Sequence, residues 1–149
     1  MPLSRRSILA SLVGVSLAAA AGAALMHRTQ TVIDVPAAGE DVALSALSYK
    51  ANAFEAKIGG VRIEPKSADG ADPVQVDWRF VGSNSDGQQH RVDIFVRLLD
   101  ESGKQIETFD KSFFLVAGAH EQVCAVPMRV SAEHWKRAKS ARIVTDWLS

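Results

Sequence analysis

The stretch VQVDWRFVG, residues 74–82, alternates from Val74 to Phe80. Val74, Val76, Trp78 and Phe80 fall on one side, and Gln75, Asp77 and Arg79 on the other. That period of two belongs to a half-buried β-strand, with one face on a core and one on solvent. Eight residues on, HRVDIFVRLLD (90–100) repeats the pattern with Val92, Ile94, Val96 and Leu98 on one side. The connecting NSDGQQ contains Asp86-Gly87, a pair suited to a tight turn between antiparallel strands.

Working outward, DESG (100–103) predicts another turn, with Gly103 free to take a positive φ. KQIETFDKSFFLV follows as a third strand with a kink expected near Asp110, and HEQVCAVPMRV returns as a fourth after the turn AGA. Ser131 is a candidate N-cap for the short helix SAEHWKRAKS, and ARIVTDWL closes the chain as a last strand. Short strands joined by turns at roughly ten-residue spacing predict a two-sheet sandwich. Its expected core is Val76, Trp78, Phe80, Ile94, Val96, Leu98, Phe114, Val126, Ile143 and Trp147.

Upstream, VRIEP (61–65) reads as a short strand and KSADGADP as a polar loop. Between Asp41 and Ile58 the apolar residues Leu44, Leu47, Ala51, Phe54 and Ile58 recur at spacings of three and four. The spacing predicts a helix over 41–58, capped by Asp41 and stopped by Gly59-Gly60 and covering the sandwich; a pair of strands is the alternative. Residues 24–40 read as a tether, with a short strand at Val32–Val35. The expected fold is mainly β: an immunoglobulin-like antiparallel β-sandwich over 41–149, with an N-terminal covering helix and one short helix before the last strand.

The first 23 residues carry an address. Arg5 and Arg6 precede an uncharged run from Ile8 to Met26, and Ala21-Gly22-Ala23 has the small-x-small form of a cleavage site. A signal peptide cut before Ala24 is expected, with Ala18–Ala20 as a second site. The rival is an uncleaved inner-membrane anchor, since the run approaches the roughly 20 residues that span a bilayer. Ser4-Arg5-Arg6-Ser7-Ile8-Leu9 is similar to the twin-arginine signals that export folded proteins, with Ile8 where Phe is common; a general secretory signal is the alternative. Either route delivers the chain to the periplasm.

Residues 74–148 resemble a group of small exported immunoglobulin-like domains of the FxLYD type. The likeness is carried by VGSNSDGQQHRVDIFVRLLDESGKQIETF and LVAGAHEQVCAVPM. Gly82 and Asn84 match a strand-end motif, and Gly103 and Gly118 match two turn glycines. Val96-Arg97-Leu98-Leu99-Asp100 keeps the Leu and the Asp of the signature but has Val for Phe and Leu for Tyr. The resemblance implies an extracytoplasmic sandwich used for binding or assembly, and it supplies no catalytic residues.

Charge and chemistry narrow the partners. Removing Arg5 and Arg6 with the signal leaves 15 basic against 17 acidic residues, a net charge near −2. The longest basic cluster is KRAK (136–139). Nucleic acid or an anionic membrane is therefore not an expected partner, and membrane association is expected only through the N-terminal segment, if retained. Cys124 is the only cysteine, so no disulfide forms within one chain. His120, Cys124 and Met128 are candidate copper ligands, since imidazole, thiolate and thioether suit that metal. Residues four apart on a straight strand are roughly 13 Å apart, however, too far to wrap one ion. The simpler reading makes Cys124 and Met128 core residues and His120 a turn residue, with no cofactor. His90 and His134 read as surface residues, and Asp100-Glu101 as turn carboxylates. There is no G-x-S-x-G, and Cys124 lies in an apolar alternation that disfavours a thiolate. Phe109, Phe113 and Leu115 share the face opposite Phe114; they form either a docking patch or the surface covered by the 41–58 helix. The expected function is non-catalytic: an accessory domain that binds another envelope protein, with a small-ligand or copper carrier as the alternative.

Overall fold

The computed structural model describes residues 26–35, 39–44, 47–51 and 54–148. Residues 1–23, expected as a signal peptide, and the expected cleavage sites lie outside them. The chain is mainly β, in two antiparallel sheets with one short helix. One sheet has the order β1-β9-β6-β7, formed by Met26–Asp34, Ser140–Leu148, His90–Leu99 and Gln105–Leu115. The other runs β2-β4-β5-β8, formed by Asp41–Ala43, Phe54–Pro65, Val74–Asn84 and Gln122–Val130. In addition, β3 (Ser48–Ala51) pairs with β4. The chain changes sheet between β1 and β2, between β5 and β6, between β7 and β8, and again through α1 (Ala132–Arg137) between β8 and β9.

Alternation along β5 does what its sequence predicts. Val76, Trp78 and Phe80 are fully buried and face Val92, Ile94, Val96 and Leu98 of β6, Val126, Met128 and Val130 of β8, and Ile143 and Trp147 of β9 in a single core. Each large side chain removed from water contributes roughly 1.5–3 kcal/mol, so the two indoles and Phe80 anchor the two layers. Ser131 caps α1, its hydroxyl accepting from the His134 amide at 3.2 Å.

The strand order has one unexpected member. In an immunoglobulin-like sandwich the last strand lies beside the penultimate one at a sheet edge. Here β4-β5-β8 face β7-β6-β9, and the first strand, β1, occupies that last place, antiparallel to β9 from Met26↔Leu148 to Asp34↔Ser140. The stretch expected as a tether therefore supplies a nine-residue sheet strand.

The helix expected over 41–58 is not formed in the described residues, which build β2, β3 and the start of β4. The helix-like spacing is spread over separate elements: Leu44 follows β2, Leu47 precedes β3 and Ile58 lies in β4, and all three are buried. Within β4, Gly59 is inserted as the register shifts between Ile58 and Gly60, so Ala56 and Ile58 point inward before the bulge and Val61 and Ile63 after it. Gly59-Gly60 lies inside β4 and terminates nothing. The backbones of Ala51 and Phe54 are paired at the β3–β4 turn.

A second correction concerns β7. Phe114, expected in the core, is 54 % exposed, whereas Leu115 is fully buried and Phe109 and Phe113 pack partly against the core. Register with β6 decides this. Leu115, Phe113 and Phe109 lie opposite the inward residues His90, Val92 and Val96, while Phe114 lies opposite the exposed Arg91. No break occurs at Asp110, and the only register shift in this pair falls between Leu98 and Leu99. Among the described residues no helix is long and apolar enough to cross a membrane.

Candidate interaction surface

The outer face of the β2-β4-β5-β8 sheet is mostly charged, with an apolar hollow set into it. Val81 and Val123 are directly opposed across β5 and β8, and both are exposed, at 40 % and 58 %. Gly60 continues the same rung on β4 and Ala43 on β2. Because Gly60 carries no side chain, the rung dips between Ala43 and Val81, and a hollow of about 290 Å³ forms. Asp41, Arg62 and Arg79 line its rim.

The rim is positively charged. Glu64 holds Lys66 at 2.9 Å, Arg79 at 3.0 Å and Arg62 at 3.5 Å, so one carboxylate is shared by three cations. Hydrogen bonding from Lys66, with the charges of Arg79, Lys66 and Arg62, holds the Glu64 carboxyl below its ordinary range. With Asp41 on the rim as a second carboxylate, three cations stand against two anions, and one positive charge remains in excess next to the valines.

At the β7–β8 end, further apolar side chains are turned outward. Gln122 donates from Nε2 to the Phe114 carbonyl at 2.8 Å, and its Oε1 accepts from the Val116 amide at 3.0 Å. That clip ties the end of β7 to the start of β8, beside Val123, while Phe114 and Val116 both stay 54 % exposed. Gly82 makes this arrangement possible. A Cβ there would stand 2.5 Å from Leu115 Cδ2, so Leu115 sinks fully between the layers only because Gly82 leaves it room.

The candidate metal ligands are not brought together. Cys124 and Met128 point into the core opposite Phe80 and Val76, and His120 is exposed in the turn before β8. Burial pushes the Cys124 thiol up to about 11, which keeps it protonated and poor as a nucleophile or soft ligand. Among the described residues no three His, Cys, Asp or Glu side chains gather where they could hold a metal ion.

His90 and His134 each fasten parts of the fold. His90 is buried rather than on the surface, its Nε2 2.7 Å from Asp86 Oδ2 and its ring 5.8 Å from that of Tyr49. His134 Nδ1 is 2.6 Å from Glu107 Oε1, joining α1 to β7. Asp100 Oδ1 accepts from the amides of Ser102 and Lys104 at 2.9 and 3.0 Å and from the Ser102 hydroxyl at 2.6 Å, which fixes the β6–β7 turn.

Sequence reading pointed to Phe109, Phe113 and Leu115 as the apolar face of β7 and missed the Val81–Val123 pair. The signal was present in part: Val81 breaks the polar side of the 74–82 alternation, and Val123 begins an outward row of β8 that stays uncharged until Arg129. No protein-family model matches the chain, and no curated protein matches it. Among solved structures, the enzymatically active domain of tailspike protein 4 from bacteriophage CBA120 is similar at 14 % identity over 84 % of this chain, with a TM-score of 0.27. The chain spans 17 % of that protein's length.

Proposed function

We propose that this chain is a non-catalytic accessory domain that works in the periplasm or cell envelope and docks another envelope protein through the outer face of its β2-β4-β5-β8 sheet. The observation that carries the reading is the Val81–Val123 pair, half exposed beside the Gly60 hollow on an otherwise charged face. Burying the remaining surface of two such valines is worth on the order of 1 kcal/mol each. The cationic rim of Arg62 and Arg79 favours a partner that presents an apolar side chain flanked by carboxylates. The twin-arginine-like segment Ser4–Leu9 supports the compartment.

A photo-crosslinking amino acid at position 123 tests the docking in intact cells, with position 102 in the exposed β6–β7 turn as control. The expected result is one discrete adduct at 123 that is absent at 102 and lost with Val81→Asp. Equal adducts at both positions, no adduct at 123, or an adduct that survives Val81→Asp overturns the reading. Replacing Arg5 and Arg6 by Lys tests the route, and unchanged export removes the twin-arginine assignment.

A further inference from the structure

The two sheets of the sandwich have four edges among the described residues, and three are guarded. The β8 edge carries Pro127 and Arg129, the β7 edge carries Glu107, Asp110 and Lys111, and these two strands lie against each other. On the far side of the other sheet β2 and β3 have only three and four residues. Charges, proline and shortness are the devices that keep edges from pairing with other chains. The fourth edge, β1, has none of them between Arg28 and Asp34. Its nine residues include Thr29, Gln30, Thr31, Val32 and Ile33, a run suited to pairing, with Val32 53 % exposed.

Hydrogen bonding on one side joins β1 to β9 along its whole length. Its outward edge presents a second row of backbone donors and acceptors. We propose that this edge pairs antiparallel with β1 of a second copy of the chain about a two-fold axis, joining two four-stranded sheets into one of eight strands.

Charge sets the register. With outward-facing residues continuing outward across the axis, pairing centred on Thr31 places Arg28 opposite the partner's Asp34, and Asp34 opposite the partner's Arg28. The same register sets Gln30 beside the partner's Val32, which covers that exposed valine. Both Arg28 and Asp34 lie on the exposed side of β1. Arg28 is already anchored to Asp146 of β9, with Nε and Nη2 at 2.7 and 2.9 Å from its two oxygens. The guanidinium is thus fixed by two of its nitrogens on the β9 side, and with 62 % of the side chain exposed it stays open to a second carboxylate.

The register is testable with cysteines, because Cys124 is buried and its thiol is held protonated. Thr31→Cys puts two thiols directly across the axis, with Cα atoms about 4.5–5.5 Å apart, inside the disulfide range. Gln30→Cys puts them on a diagonal at about 7–8 Å, outside it. The protein, purified in the form in which it accumulates, is expected to show a concentration-dependent monomer–dimer equilibrium by analytical ultracentrifugation. Mild oxidation is expected to cross-link the Thr31→Cys variant and leave the Gln30→Cys variant uncross-linked. Asp34→Arg sets like charges opposite each other twice and is expected to raise the dimer Kd about ten-fold, with an unchanged circular dichroism spectrum. A protein that stays monomeric at its highest soluble concentration overturns the proposal. So does equal cross-linking at positions 30 and 31, or a folded Asp34→Arg variant with unaltered association.

Discussion

Replacing Gly82 by Ala adds one methyl group where β5 packs against Leu115 of β7. The new Cβ would lie 2.5 Å from Leu115 Cδ2, 3.4 Å from Leu115 Cδ1 and 3.5 Å from Ile58 Cδ1. Carbon atoms pack at about 3.5–4.0 Å, so the Leu115 methyl must withdraw by about 1 Å. Leu115 is fully buried, and interiors at crystal-like density leave no vacant space for the move. Overpacking of this kind costs about 1–3 kcal/mol. Ala also restricts the unfolded chain, which returns about 0.4–1 kcal/mol. The expected net loss is about 1–2 kcal/mol, visible in urea as a fall of roughly 1 M in the midpoint with the slope unchanged.

A double-mutant cycle isolates the cause. Leu115→Ala alone opens a cavity and costs about 2–5 kcal/mol. With Gly82→Ala present, the added methyl occupies part of that cavity, so the double mutant is expected to be about 1 kcal/mol more stable than the sum of the single changes. A raised midpoint for Gly82→Ala, or strict additivity in the cycle, refutes the close-approach reasoning. It would also remove the account of why Phe114 and Val116 face outward.

Asp146 supplies a pH test. Hydrogen bonds from Arg28, with the charges of Arg28 and Arg97, lower its carboxyl in the folded state against the opposing effect of burial. A lowered folded-state value means stability that is present above the unfolded carboxylate range near 3.9 and is lost as pH falls through the folded value. Unfolding midpoints between about pH 5 and pH 2 are expected to fall, and Arg28→Gln to flatten that fall; an unaltered slope in the variant excludes the pair as its source. Ser131→Ala removes the α1 cap and is expected to cost about 1 kcal/mol, read from the shift in denaturant midpoint, whereas Ser131→Asp retains most of it. Cys124, with its thiol pushed up to about 11 inside the core, is expected to be inert to alkylating reagents at pH 8 in the native protein and to react on unfolding in urea. Mass spectrometry reads both states, and rapid native labelling refutes the burial.

Local sequence carried much of this fold because a strand with one buried face writes its burial directly into a period of two. Val76, Trp78 and Phe80, and equally Val92 to Leu98, are assigned to one side by alternation alone, and the turns at Asp86-Gly87 and Gly103 follow from backbone chemistry. The same rule failed where periodicity was broken. Leu44, Leu47 and Ile58 are buried from three separate places, after β2, before β3 and within β4, and their spacing along the chain resembled one helix face. In β7 the inward choice between Phe114 and its neighbours depended on pairing with β6, a long-range register invisible within the segment.

The candidate surface divides along the same line. Val81 appears in the sequence as an apolar residue on a polar side, and Val123 as an apolar residue outside the buried row of Cys124, Val126 and Met128. The opposition of Val81 and Val123 across β5 and β8, and the hollow that Gly60 opens beside them, exist only once three distant strands are paired. The metal spacing of His120, Cys124 and Met128 was legible too, but burial turned two of the three inward and left the third in a turn. Alternation and turn chemistry thus determined by themselves that the chain forms an antiparallel sandwich, since both act over a few residues. Which strand lies at each edge, including the N-terminal strand in the place of the last, was decided by tertiary pairing, because backbone hydrogen bonds between strands carry no mark of the partner in either sequence.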